Sequence, residues 1–204
     1  MNDAARFWDA RYADAGFAYG EAPNDFLVEV EPELPRNARV LCLAEGEGRN
    51  AVFLASRGHV VTAVDLSRVG LEKASALATR RGVSITTIVA DLASFVIEPS
   101  AWDAIVAIWM HLPRSLRERV YADAARGLRP GGAIVIEAYR PEQLSFGTGG
   151  PREEAMLVRP DDLRGELGAL SLVRFEAIER DVHEGTFHEG RSAVVRVLAR
   201  RPAA

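Results

Sequence analysis

The sequence predicts an α/β fold: a doubly wound, mostly parallel seven-stranded sheet that ends in an antiparallel hairpin. Three observations carry this. Short apolar, β-branched runs alternate with helical stretches from residue 39 to residue 138. Glycine, proline or a capping serine marks the junctions between them. After residue 138 the rhythm changes, and two long alternating segments follow a loop. Serial strand–helix–strand units imply parallel strands with right-handed crossovers, and so helices on both faces of the sheet.

The elements follow in order. Residues 1–36 read as a helix over 4–15, an aromatic loop and a second short helix, together a cap on what comes next. Residues 39–44 are an apolar run ending at glycines, the pattern of a buried strand. A helix over 50–57 follows, with Val52, Phe53 and Leu54 on its apolar face and Gly58 as its stop. The β-branched run 60–64 is the second strand, and a helix over 67–81 is capped by Ser67 and closed by Gly82. Strands over 84–89 and 102–109 come next, then a helix over 114–127 with Leu116, Val120 and Ala124 on one face. Pro130, Gly131 and Gly132 form a turn into a fifth strand over 133–138. Residues 139–160 are rich in Gly, Pro and Glu and read as a lid or binding loop. A helix over 160–170 and two strands over 171–181 and 190–200 complete the chain. The expected organisation is one domain over 1–204, divided into the cap (1–36), a ligand-binding core (37–138) and a terminal part with loop, helix and hairpin (139–204).

Composition narrows the function. A length of 204 residues with 48% apolar and 26% charged residues suits one globular α/β domain and excludes disordered and collagen-like classes. No apolar run approaches the roughly 18 residues of a membrane helix, and the first residues lack the pattern of a signal peptide, so no membrane partner is expected. The net charge of −4 gives no reason to expect a nucleic acid partner. Cys42 is the only cysteine, which excludes a disulfide within the chain and points to a cytoplasmic setting. Lys73 is the only lysine. Nothing in the sequence reports the oligomeric state.

The chemistry-bearing residues cluster at strand ends. Ala44, Glu45, Gly46, Glu47, Gly48, Arg49 and Asn50 form a turn from first strand to first helix, where Gly46 and Gly48 let backbone approach a ligand. Taken alone, two glycines in such a turn are as often only a turn. Asp65, twenty residues past Glu45, ends the second strand with Leu66 and Ser67 behind it; an acid there accepts from ribose hydroxyls, and Ser67 is free to be the helix cap. Asp91 and Leu92 end the third strand, suited to an adenine amino group and ring. Three such features at successive strand ends point to an adenosine-containing cofactor.

At these residues the chain resembles the class I S-adenosylmethionine-dependent methyltransferases, whose Rossmann-like fold has this strand series. The family's acid-x-Gly-x-Gly-x-Gly motif falls on Cys42, Ala44, Gly46 and Gly48, so the acid and first glycine are replaced. Glu45, Glu47 or a backbone carbonyl near Ala44 then stands in for the missing acid. The segments Tyr19-Gly20-Glu21-Ala22-Pro23-Asn24-Asp25-Phe26-Leu27, Thr148-Gly149-Gly150-Pro151 and 184–188 resemble the branch of TehB-type tellurite-resistance methyltransferases. The resemblance implies an enzyme that moves a methyl group from S-adenosylmethionine to a small molecule, a thiol or chalcogen oxyanion, leaving S-adenosylhomocysteine. No Asn-Pro-Pro-Tyr or Asp-Pro-Pro-Tyr follows the fourth strand, which argues against nucleobase amines.

The resemblance also assigns roles. Trp109 and Met110 pack on the cofactor, His111 faces the transfer site as base or orienting group, and a helix-entry hydrogen bond is its equal alternative. The aromatic segment of Trp8, Tyr12, Phe17 and Tyr19 covers the cofactor with Tyr19 nearest, while core packing is expected for Trp8 and Phe17. Tyr19, His111, Tyr139 and Phe146 line the acceptor side. His183, Glu184, His188 and Glu189 fall in a turn without a third ligand, so a polar hairpin turn is expected there and no metal. Cys42 reads as a buried apolar residue. The rival readings are a non-catalytic cofactor-binding or interaction protein and, less favoured, a nicotinamide oxidoreductase. The latter usually needs a Tyr-x-x-x-Lys pair, and Val69 stands four before Lys73.

Overall fold

The computed structural model describes residues 3–203. One seven-stranded sheet, in the order β3-β2-β1-β4-β5-β7-β6, runs through them. The strands are β1 (Arg39–Leu43), β2 (Val60–Asp65), β3 (Thr86–Val89), β4 (Trp102–Ile108), β5 (Leu128–Tyr139), β6 (Ser171–His183) and β7 (Glu189–Arg200). The β1–β5 pairings are parallel, and β7 inserts antiparallel between β5 and β6. The mostly parallel sheet with a terminal hairpin is therefore observed, and strand order reverses between β1 and β4, where such sheets open a crevice.

The helices are α1 (Asp3–Arg11), α2 (Asp25–Val30), α3 (Arg49–Ser56), α4 (Arg68–Arg80), α5 (Arg114–Gly127) and α6 (Pro160–Glu166). One core layer packs Leu41, Ile105, Ile134 and Val197 with Tyr121 of α5 and Leu163 of α6; the other packs Val40, Val106 and Val135 with Leu27 of α2 and Leu54 of α3. Alternate residues of the same strands feed opposite layers, which is why central strands read as continuous apolar runs. As expected, Ser67 caps α4 by accepting from the Gly70 N–H at 3.0 Å.

Three boundaries differ from the sequence expectation. The helix expected over 4–15 stops at Arg11, because Lys73 Nζ draws the carbonyls of Tyr12, Asp14 and Gly16 to itself at 3.0, 2.8 and 2.5 Å. Pro130–Gly132 is not a separate turn but an irregularity inside β5, whose register against β4 jumps from Trp102↔Leu128 to Ala104↔Ala133. The helix expected over 160–170 ends at Glu166, leaving Leu167 and Leu170 buried in the core.

The segment between α1 and α2 is bound to the sheet's carboxyl edge. Asp9 Oδ1 accepts from Ser67 Oγ (2.6 Å) and the Val69 N–H (3.3 Å), tying α1 to the start of α4. Lys73 also holds Glu47 Oε1 at 2.6 Å, and Glu47 Oε2 accepts from the Ala18 N–H at 2.8 Å. Replacement by Lys73→Met leaves three carbonyls and Glu47 without their cation. Urea titration should show a loss of about 1.5–3 kcal/mol, with faster proteolysis between residues 13 and 16; an unchanged midpoint and cleavage pattern would show that the clamp contributes nothing.

Candidate functional site

A cleft of ≈ 460 Å³, including its open mouth, lies over the carboxyl ends of β1 and β4. Its floor is the turn after β1. Ala44 has φ 51° and Gly46 φ 62°, so the chain bends twice through the left-handed region. Ala44 adopts this conformation despite its Cβ, at the motif position where glycine is usual. The glycines divide their work. A Cβ on Gly46 would stand 2.6 Å from the Tyr12 hydroxyl, at the cleft, whereas one on Gly48 would stand 2.4 Å from the Ala74 Cβ, inside the α3–α4 contact. Gly46 keeps the cleft floor bare, and Gly48 lets two helices touch.

One wall comes from the N-terminal segment and α3. Trp8, Tyr12, Tyr19 and Gly20 face Glu45, Glu47, Arg49 and Asn50 across the floor. Glu45 Oε1 accepts from the Ala51 N–H at 2.7 Å, and burial pushes its carboxyl up to about 7. Asn50 Oδ1 accepts from the Asn24 N–H at 2.9 Å. The opposite wall is Ile108, Trp109, His111 and His188. Trp109 stacks on Tyr139 with ring centroids 4.2 Å apart, and His111 stacks on the same tyrosine at 6.0 Å. Burial, reinforced by His188, lowers the His111 imidazole to about 3, so it is neutral at physiological pH.

The sequence-derived residues fall into two groups. Tyr19, Ala44, Glu45, Arg49, Asn50, Trp109 and His111 line the cleft, with Gly46 in its floor. Asp65, Leu66, Ser67, Asp91, Leu92, Met110, Tyr139 and Phe146 do not line it. Asp65 is buried, its oxygens accepting from the N–H groups of Gly46 and Ser67 at 2.8 and 2.7 Å, and its charge helps to raise the Tyr12 hydroxyl, after burial itself. Asp91 Oδ1 accepts from the Ala93 N–H at 2.8 Å, and Leu92 is in the core. Met110 is buried. Trp109 takes φ 56°, which sends Trp109 to the cleft and Met110 into the core under α5. Phe146 ends a short 3₁₀ turn away from the cleft.

Of the aromatic N-terminal segment, Trp8, Tyr12 and Tyr19 line the cleft, while Phe17 packs against Val52, Leu77 and Ala78; core packing is the sequence expectation for Trp8. Sequence reasoning also placed His188 in a polar turn. The two hairpin histidines part company: His183 is exposed and paired with Glu189 at 2.6 Å, while His188 turns into the cleft. The signal available was the Glu184-to-His188 spacing that the segment shares with the TehB branch.

Residues 40–132 match the family model of the methyltransferase domain. The tRNA 5-carboxymethoxyuridine methyltransferase of Escherichia coli K12 is 32% identical over 117 residues, 54% of this chain and 43% of that protein. The 2-heptyl-1-hydroxyquinolin-4(1H)-one methyltransferase of Mycobacteroides abscessus is 28% identical over 94 residues, 45% of this chain and 41% of that protein. The matched stretch thus spans under half the length of these curated relatives. The crystal structure of TehB from Haemophilus influenzae superposes with a TM-score of 0.71 at 16% identity, covering 97% of this chain and 66% of that one. The fold is that of class I S-adenosylmethionine-dependent methyltransferases, and the resemblance to TehB extends along the chain.

Glu45 supplies a test of the electrostatics. Its folded pKa of about 7 lies above the unfolded value of 4.5, so the folded state binds more protons between them. Stability from this group is full below pH 4.5 and is lost as pH rises through about 7. Glu45→Gln keeps an acceptor for Ala51 and carries no charge. Urea titrations should show it gaining about 1–3 kcal/mol on the wild type near pH 8 and little near pH 5; equal effects at both would refute the raised pKa.

Proposed function

We propose that the chain, with its methyltransferase domain at residues 40–132, transfers a methyl group from S-adenosylmethionine to a small-molecule acceptor and leaves S-adenosylhomocysteine. The observation that carries the reading is the cleft, where a bare glycine floor with carboxylates faces an aromatic and imidazole wall. Aromatic faces and carboxylates suit a sulfonium and an ammonium group, so the residues present fit this cofactor. When bound, it supplies a methyl group already activated on positive sulfur, and no covalent nucleophile is required of the chain.

The chain's own residues then bind and orient. Ala44, Gly46 and Asn50 would hold the amino-acid end, with Glu45 as the acid in place of Cys42, since Glu47 is engaged with Lys73. Asp65 with Leu66 and Ser67, and Asp91 with Leu92, would hold the nucleoside end, once Tyr12 yields space to it. Tyr19, His111 and Tyr139 would position the acceptor, with the loop at Phe146 as cover. Alignment of this kind can supply about 7–11 kcal/mol of the barrier in favourable cases. An imidazole lowered to about 3 is a poor base, which supports an orienting role for His111.

Within the proposed class, a thiol or a chalcogen oxyanion remains the finer reading, in line with the TehB likeness. The pairing of Arg49, the cation that lines the cleft, with Glu184 favours the thiol. A soluble cytoplasmic protein acting alone or as an oligomer fits this chemistry, and no helix of the described residues is long and apolar enough to cross a membrane.

Calorimetry with S-adenosylhomocysteine and radiolabelled methyl transfer to small thiols, selenite and bulk transfer RNA test the reading. Asp65→Ala should weaken S-adenosylhomocysteine by about 1.5–3 kcal/mol in a folded variant; unchanged affinity removes the ribose role. His111→Ala should lower the transfer rate far more than cofactor affinity, by a factor that stays constant between about pH 6 and 9. A loss that vanishes at high pH would make His111 a base instead.

A further inference from the structure

We propose that Arg11, on the rim of the cleft, is a carboxylate-binding subsite for the methyl acceptor. The acceptor is then a small organic acid whose carboxylate serves as a handle, apart from the atom that takes the methyl group. The inference rests on the methyltransferase reading and names the acceptor class for it.

Arg11 closes α1 and is half-buried. Helical spacing sorts the side chains before it. Trp8 and Tyr12, four apart, stack with ring centroids 5.7 Å from one another and line the cleft. Phe7 and Arg11, also four apart, stand one position back, with the guanidinium 5.3 Å from the phenyl centroid. The hairpin brings Phe187 to the same guanidinium, which lies 3.9 Å from the centre of that ring. Phe7 and Phe187 are both exposed, so these rings belong to the surface and meet at the arginine. A guanidinium over a ring is held through its face, while its N–H groups lie in its own plane and can grip a planar anion edge-on.

Those N–H groups are largely unspent. Among the described residues the side chain makes one hydrogen bond, from Nη1 to the Tyr19 hydroxyl at 3.4 Å, and it pairs with no carboxylate. The cations beside it are committed: Arg49 holds Glu184 at 2.5 Å, and Lys73 holds Glu47 at 2.6 Å. An anion entering the cleft therefore meets its partner at Arg11. Tyr19 links that cation to the cleft, because it lines the cleft and its hydroxyl accepts from Arg11. The charge is felt there: Arg11 opposes the rise that burial imposes on the Tyr19 hydroxyl.

Charge count selects the anion. Glu45 and Glu47 line the same cleft, so a doubly charged phosphate would leave a negative charge uncompensated beside them. A carboxylate leaves none, and its two oxygens match the planar fork of the guanidinium. Position decides its role. Arg11 does not itself line the cleft. A carboxylate gripped there has its lone pairs engaged by the guanidinium, which makes it a poor nucleophile. It selects and orients the molecule, and a separate heteroatom such as a thiol takes the methyl group deeper in the cleft.

The test uses the full chain saturated with S-adenosylhomocysteine, titrated calorimetrically near neutral pH with benzoate and with benzamide. The two have the same shape, and only the first is charged. Wild type should bind benzoate about tenfold more tightly than benzamide. The preference should fall to about twofold or less in Arg11→Gln and Arg11→Met, and Arg11→Lys, which keeps the charge without the fork, should restore part of it. The readout is a ratio within each variant, so a general loosening of the cleft cancels. Benzoate binding no tighter than benzamide in wild type, or a preference that survives both neutral variants, overturns the proposal. Displacement of benzoate by an equal concentration of selenite or inorganic phosphate would assign the site to an inorganic oxyanion and overturn it too. A wild-type chain that takes up no S-adenosylhomocysteine instead overturns the methyltransferase reading, and this inference with it.

Discussion

The Glu184 carboxylate is the point on which the site is hung. It accepts from Arg49 Nη2 (2.5 Å), Trp109 Nε1 (2.5 Å), Asn24 Nδ2 (2.8 Å) and Arg180 Nη2 (3.3 Å). These donors belong to α3, the residue after β4, the cap of α2 and β6, so one buried acid joins four parts of the chain that are far apart in sequence. Charge-assisted bonds in a low-dielectric interior are strong when every donor and lone pair is matched, and costly when one is removed. The surrounding hydrogen bonds hold the Glu184 carboxyl well below the usual range, although burial pushes the other way. The hairpin therefore cannot be regarded as an appendage to the sheet. Its tip fixes the indole of Trp109, and that indole forms the stacked wall with Tyr139.

A second acid does for the N-terminal segment what Glu184 does for the hairpin. Glu47 sits inside the glycine turn, accepts from the N–H groups of Ala18 and Tyr19, and shares Lys73 with the carbonyls after α1. The only lysine of the chain is thereby assigned to structure. Tyr19 and Tyr12 hang from this anchored segment, and the Thr186 N–H bonds to the Ala18 carbonyl at 3.0 Å, so cap and hairpin also meet directly. Motion of either would move the walls of the cleft together.

Local pattern made the central fold legible, because the central strands β1 and β4 and the inner part of β5 bury both faces and so appear as apolar runs. Caps were legible for the same reason: Ser67 acts through atoms three residues away. What escaped depended on distance in sequence. His188 becomes a cleft residue only because Glu184 holds the hairpin tip against α3 and β4. The burial of Met110 was illegible for a local reason of another kind. Nothing in the run Ile108-Trp109-Met110-His111 announces that Trp109 takes a left-handed conformation, and that single dihedral reverses which side chain meets the cleft.

The loss of the usual acid at Cys42 fits this arrangement. Cys42 is wholly buried in β1, among Val40, Ala63 and Val106. A carboxylate at that position would need a partner, and the nearest carboxyl, Glu45, is already pushed upward by burial and by Asp65. Two acids there would repel each other, and Arg49 is committed to Glu184. Moving the acid three residues along, onto the rim, leaves one carboxyl whose proton is loosely held near neutrality and whose charge a cationic ligand would draw out. The cleft is then negative on the side of the glycine turn and neutral on the side of the imidazoles. Under the proposed function, that asymmetry would orient a cationic cofactor towards Glu45 and leave the facing wall to select its acceptor by shape and hydrogen bonding.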